Sequence, residues 1–176
     1  MSWDDLYETK RIGNGSEPTF HHLIRECCVE GAGILELGCG CGENIPQFIQ
    51  AKRDYVGLDN SEVAIKMAHE RFPFMRDRII QCDFTQTLRV DKCVFICDRA
   101  SLPHNDYESI KRCVGLIRDT LMPGGMFIAS DWYATGHSEF VRGEYVDENT
   151  RCDYPDGQFK DVGFVHFFSE AELYNL

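Results

Sequence analysis

Nowhere in this sequence of 176 residues do apolar side chains run on for the ~20 positions that a membrane-crossing helix needs. Its first residues, Met1-Ser2-Trp3-Asp4-Asp5, lack the basic start and apolar stretch of a secretory leader. No run of Lys and Arg occurs either. The 18 basic residues stand against 29 acidic ones, and a net charge of −11 opposes binding to phosphate backbones. Cys-x-x-Cys is absent although the chain has nine cysteines, and paired ligands at zinc-finger spacing are missing with it. An odd number cannot all pair, and most lie in apolar runs such as Cys93-Val94-Phe95-Ile96-Cys97. They read as reduced, buried thiols acting as small hydrophobes, with no metal expected. These absences lead us to expect a cytoplasmic protein without nucleic-acid or membrane partners.

What is present suffices for a packed core: 43% of residues are hydrophobic and 12% aromatic. No repeat or linker divides the chain, so one domain over residues 1–176 is expected. Residues 1–15 are polar, with Trp3, Leu6 and Tyr7 as isolated anchors and a turn at Gly13-Asn14-Gly15. Ser16-Glu17-Pro18 reads as a helix start, followed by Phe20, Leu23, Ile24, Cys27 and Cys28 at helical spacing. From there short apolar runs alternate with helical patterns. Strands are expected at 34–37, 55–58, 79–82, 93–97 and 126–130, with helices after the first, second and fourth. Pro123-Gly124-Gly125 reads as a helix stop. This alternation predicts an α/β fold: a three-layer αβα sandwich around a Rossmann-like, doubly wound, mostly parallel sheet. Beyond residue 132 the chain is irregular until a β-like run at Phe159–Phe168 and a helix opened by Ser169-Glu170.

In such sheets ligands sit beyond the carboxyl ends of the strands, so the residues just after each strand matter most. After the first strand come Glu36-Leu37-Gly38-Cys39-Gly40-Cys41-Gly42-Glu43, whose alternate glycines let the backbone turn sharply and approach a ligand. A dinucleotide fingerprint needs glycine where Glu43 stands, which argues against a pyrophosphate. Asp59 ends the second strand, 21 residues beyond Gly38, near the spacing at which an acid grips ribose hydroxyls. The competing reading is a cap for the helix that Ser61 opens. Asp83-Phe84 follow the third strand, and Asp98-Arg99-Ala100-Ser101-Leu102-Pro103-His104-Asn105 end the fourth.

Together, Glu36 to Gly42, Asp59, Asp83 and Asp98 resemble the motif series of class I S-adenosylmethionine-dependent methyltransferases, over roughly residues 30–132. Asp98-Arg99-Ala100-Ser101-Leu102 is similar to a segment of the thiopurine and thiol methyltransferase branch. The resemblance implies S-adenosyl-L-methionine as cofactor, with S-adenosyl-L-homocysteine as product. It implies that Gly38, Cys39, Gly40 and Gly42 line the methionine moiety, with Glu36 orienting their loop or reaching the amino group through water. By the same likeness Asp59 holds the ribose, Asn60 and Phe84 flank the adenine, and Asp83 accepts from the adenine amine. Asp98 lies near the methionine end, Arg99 faces a small-molecule acceptor, and Trp3, Tyr7 and Arg11 form a lid. His104 is the best-placed titratable candidate for the base, with Asp98 beside it, whereas His137 and His166 lie in a substrate-side segment at 133–168.

The Asn-Pro-Pro-Tyr signature of nucleic-acid amino methylases is missing. The alternatives are a S-adenosylmethionine-binding module or partner subunit without chemistry, an NAD-type oxidoreductase disfavoured by Glu43, and an aminopropyl transferase. Sheets of this family end with two further strands, numbers six and seven. Here the sequence stops after the Ser169–Leu176 helix, as though truncated, so five parallel strands are expected without that hairpin. The exposed edge of the fifth strand is expected to be covered by residues 133–168 or paired in a homodimer.

Overall fold

The computed structural model describes residues 2–9, 22, 25–26 and 33–176. The Gly13–Gly15 turn, the Ser16-capped helix with Cys27 and Cys28, and Arg11 lie outside those residues. Five strands form the large sheet: β1 (Gly33–Leu37), β2 (Asp54–Asp59), β3 (Ile79–Gln81), β4 (Cys93–Arg99) and β5 (Leu121–Ser130). Their order is β3-β2-β1-β4-β5, and every pairing is parallel. The order turns back between β1 and β4, which places a crevice beyond the carboxyl ends of those strands.

Helices cover both faces of this sheet. On one face α2 (Ile45–Gln50) and α3 (Glu62–Arg71) bring Ile45, Phe48, Ile65 and Ala68 against Ile34, Tyr55 and Phe95. On the other, α4 (Tyr107–Thr120) buries Ile110, Cys113 and Ile117 against Leu35, Leu37, Leu58 and Ile96. Adjacent strand residues thus feed opposite cores, which is why β1 and β4 read as nearly continuous apolar runs. This is the expected α/β sandwich. Among the described cysteines, Cys39, Cys41, Cys82, Cys93, Cys97 and Cys113 are buried free thiols, and Cys152 is half-buried.

Two expectations need correction. Pro123-Gly124-Gly125 does not separate helix from strand, because α4 ends at Thr120 and β5 starts at Leu121. The glycines instead sit in an irregularity of the β4–β5 ladder, whose register jumps between Cys93↔Leu121 and Phe95↔Met126. The second concerns residues 133–168, which do not pair with β5. They fold as β6 (Tyr133–Ala134), β7 (Glu144–Tyr145), β8 (Thr150–Cys152) and β9 (Val165–Phe168), a separate sheet in the order β6-β9-β8-β7. Its own small core holds Tyr154, Phe159, Val165 and Phe167. Among the described residues β5 pairs with β4 alone.

Two short helices complete the picture. Helix α1 (Trp3–Glu8) is closed at its start by a reciprocal Ser2–Asp5 cap, and α5 (Glu170–Asn175) by an equivalent Ser169–Glu172 pair.

Candidate active site

Two adjoining clefts open at the carboxyl ends of β1, β2 and β4, and the loop after β1 divides them. In that loop Gly38 and Gly40 both take positive φ, +64° and +53°. A Cβ at Gly38 would run into the Ser101 side chain, and one at Gly40 into the Tyr7 hydroxyl. Only glycine allows both the left-handed turn and these approaches. The loop is braced from β2: Cys39 N–H donates to the Leu58 carbonyl at 2.9 Å, and Gly40 N–H to Asp59 Oδ2 at 2.8 Å. Asp59 Oδ1 accepts the Ser61 N–H at 2.8 Å, so one carboxylate ties the glycine loop to the start of α3. Burial pushes the Asp59 carboxyl above its ordinary value, against the pull of these backbone N–H groups.

The smaller cleft, 150 Å³, is walled by Gly38, Asp59, Asn60, Asp83 and Phe84, together with Ser101 and Asn105. The Asp83 side chain is partly engaged, since its Oδ1 accepts from Thr85 N–H at 3.0 Å and the Thr85 hydroxyl at 2.6 Å. The larger cleft, 430 Å³, runs along Gly38 to Cys41 and Asn44 towards His104, Tyr133 and Phe159. Trp3, Tyr7, Gly38, Arg99 and Ala100 wall both clefts. Helix α1 therefore lies across the junction. It is fastened there by Asp4, whose Oδ1 accepts from the Ser61 hydroxyl at 2.5 Å and from Val63 N–H at 3.1 Å.

Four residues sit differently from the sequence expectation. Glu36 lines neither cleft: its buried carboxylate accepts from Tyr55 OH at 2.5 Å and Asn44 Nδ2 at 2.6 Å. It thereby positions Asn44, which does line the larger one. Burial pushes the Glu36 carboxyl up to about 7, although both donors favour its charged form. Asp98 is fully enclosed, accepting from Trp132 Nε1 at 2.6 Å, from Leu102 N–H at 3.1 Å and from the Ser101 hydroxyl. It braces the post-β4 turn and lines neither cleft, and burial pushes it up to about 6. Gly42 packs against Ile45 and Phe72, away from both clefts. Arg99 does reach the clefts, but its guanidinium pairs with Asp131 at 2.9 Å instead of standing free for an acceptor.

His104 lines the larger cleft. Its Nδ1 is 3.2 Å from the Phe164 carbonyl oxygen, and burial pushes it down to about 4, which keeps the ring neutral. Sequence reasoning missed Asn44, Asp131, Tyr133, Gln158, Phe159 and Val162. Asp131 was within reach of the same rule, since it directly follows β5. The others come from α2's cap and from the small sheet, where no spacing marks them.

A parallel sheet wound in this order, with a glycine turn after β1 and acids closing β2 to β4, is the architecture of class I S-adenosylmethionine-dependent methyltransferases. Residues 34–125 match the family model described as a methyltransferase domain, and the chain belongs to that family. Solved structures bear out the fold. A S-adenosylmethionine-dependent methyltransferase from Clostridium acetobutylicum superposes with a TM-score of 0.69 at 16% identity, over 98% of this chain and 82% of that one. One from Mesorhizobium loti gives 0.66 at 20% identity, over 88% and 76%. Among curated proteins, the chain is similar to malonyl-[acyl-carrier protein] O-methyltransferase of Pectobacterium atrosepticum, 31% identical over 54% of this chain and 37% of that protein. It is also similar to dTDP-3-amino-3,4,6-trideoxy-alpha-D-glucopyranose N,N-dimethyltransferase of Streptomyces venezuelae, 23% identical over 73% and 56%. The matches thus cover about half the length of these relatives, or less.

Proposed function

We propose that this chain transfers a methyl group from S-adenosylmethionine to a small-molecule acceptor, in the cytoplasm. The observation that carries the reading is the division of the site. One cleft carries Asp59, Asp83 and Phe84, the other His104, Tyr133 and Phe159, and the two meet at Gly38 under Trp3 and Tyr7 of α1. The residues fit the donor's parts. Asp59 takes the ribose hydroxyls with the lone pairs its two backbone bonds leave free. Asn60 and Phe84 flank the adenine, and Asp83 accepts from its amine. The Cβ-free edge at Gly38 and Gly40, with Cys39 between them, accommodates the methionine chain. When bound, the sulfonium supplies an electrophilic methyl group on a good leaving group, so the protein's task is in-line positioning and disposal of the acceptor's proton.

In this reading residues 133–168 are the acceptor-side part of one unit spanning the chain. Tyr7 and Trp3 exclude water at the junction, and His104 faces the acceptor. The O-methyl and N,N-dimethyl transfers in the relatives' names leave the acceptor atom open. Calorimetric titration with S-adenosylhomocysteine and with NAD tests the cofactor, and transfer from labelled S-adenosylmethionine to a metabolite mixture tests the chemistry. Preference for NAD would overturn the reading. Binding of S-adenosylhomocysteine without any turnover would replace it with a non-catalytic donor-binding module.

A further inference from the structure

The walls of the larger cleft are rich in rings and poor in free charge. Its carboxylates and its guanidinium are already in ion pairs: Glu43 with Arg71 at 2.6 Å, and Arg99 with Asp131 at 2.9 Å. Around His104 stand three aromatic side chains. The Trp3 ring lies 5.2 Å away at 67°, Tyr133 5.7 Å at 63° and Phe159 6.1 Å at 66°. The imidazole itself is oriented from behind. A carbonyl oxygen only accepts, so the 3.2 Å contact with Phe164 places the hydrogen on Nδ1 and leaves the lone pair on Nε2. With Nδ1 engaged by Phe164, Nε2 is the ring's remaining acceptor, and His104 itself lines the larger cleft.

We infer that the methyl acceptor is an uncharged aromatic hydroxyl compound, its ring against Trp3, Tyr133 and Phe159 and its O–H donating to His104 Nε2. This rests on the methyl-transfer reading and deepens it. An anion or a protonated amine entering this cleft would shed hydration and meet no unpaired counter-charge. A flat neutral ring sheds little and gains offset or edge-to-face contacts. A fixed hydrogen-bond acceptor at the end of the slot asks for a donor on that ring. In the reaction the hydroxyl oxygen forms the new O–C bond while the S–C bond breaks. The sulfur keeps that bond's electron pair, and the hydroxyl proton passes to Nε2. The imidazolium so formed keeps its Nδ1–H on the Phe164 carbonyl and, because burial disfavours its charge, passes the proton on to solvent.

The test titrates phenol, anisole, benzoate and benzylamine into the full chain saturated with S-adenosylhomocysteine, and follows transfer from S-adenosylmethionine to each by mass spectrometry. Phenol should bind at least ~10-fold tighter than the other three, the usual scale for one hydrogen bond to a fixed acceptor, and should be the compound methylated. In His104→Phe the preference for phenol over anisole should vanish, and S-adenosylhomocysteine titration of that variant reports whether its donor side is intact. Equal or tighter binding of benzoate or benzylamine would overturn the inference. So would a phenol preference that survives in His104→Phe. If S-adenosylhomocysteine fails to bind the unaltered chain, the methyl-transfer reading falls, and the same ring titrations without it still decide the acceptor class.

Discussion

Asp4 of α1 accepts the Ser61 hydroxyl at 2.5 Å, joining residues 57 positions apart and setting the first helix across the junction of the two clefts. The same Ser61 oxygen accepts from Ala64 N–H at 3.0 Å and so caps α3. The covering helix and the α3 cap therefore share one hydroxyl. Asp4→Ala should leave α3 capped but free α1. We expect S-adenosylhomocysteine binding to weaken by about 1–2 kcal/mol, the range for charge-assisted bonds partly replaced by water. Stopped-flow measurement should place the change in the dissociation rate, because the removed contact holds the closed form. Unaltered dissociation would show that α1 does not retain the ligand.

Asp59 bears on two things at once, the loop brace and the proposed ribose contact. Asp59→Asn keeps one carbonyl oxygen for a backbone N–H and loses the charge and the second acceptor. Affinity for S-adenosylhomocysteine should fall about 10- to 100-fold, from the loss of charge-assisted acceptance. Melting of the ligand-free protein should drop by only a few degrees. A variant equally destabilised but unchanged in affinity would restrict Asp59 to the brace.

Glu36 makes stability depend on pH in a direction opposite to most carboxylates. Its folded-state pKa, about 7, lies above that of an unfolded glutamate, so the favourable contribution is complete below the unfolded value and is lost as pH rises through the folded one. Glu36→Gln keeps an acceptor for Asn44 and removes this titration. Between pH 4.5 and 8 the variant should gain about 3 kcal/mol relative to the parent, read from denaturant unfolding at each pH. His104 titrates in both proteins and cancels in the comparison, whereas Asp98, which repels the Glu36 charge, makes a small contribution of its own. A constant difference across that range would refute the assignment.

Trp132 gives a second pH signature. Its Nε1 donates to Asp98, and its ring stacks on Phe168 at 4.4 Å between centroids. Trp132→Phe should preserve most of the stacking and withdraw the donor. The cost should be about 2 kcal/mol at pH 7.5, where Asp98 is ionised, and clearly smaller at pH 5, where it is protonated. Urea unfolding at the two pH values measures it, and equal costs at both would sink the argument.

The large sheet was most legible at β1 and β4, the strands buried on both faces. Ile34 to Leu37 and Cys93 to Cys97 admit almost no polar residue, and glycine or an acid stops each. The walls of the smaller cleft were legible because they directly follow strand ends, where a parallel sheet opens its crevice. Direction was not legible. Asp59 and Asp98 both close strands, yet Asp59 faces the smaller cleft while Trp132 and Ser101 enclose Asp98. The Arg99–Asp131 pair spans 32 positions, which no local pattern reports. The strand β5 began five residues early because its Pro-Gly-Gly irregularity imitates a helix stop. The small sheet went unread, apart from one run, because strands of two to four residues leave no period to detect.

That small sheet has an evolutionary consequence. Tyr154, Phe159, Val165 and Phe167 pack among themselves, and the element meets the larger unit where Phe168 stacks on Trp132, His166 on Tyr107, and Tyr133 and Phe159 approach His104. Substitutions at Tyr133, Gln158 or Val162 can reshape the acceptor wall with little effect on the layers that hold the donor loop. Distant substitutions add nearly independently, so drift in one half is tolerated by the other. A protein divided this way can vary the wall of one cleft while the glycine loop beside it stays the same.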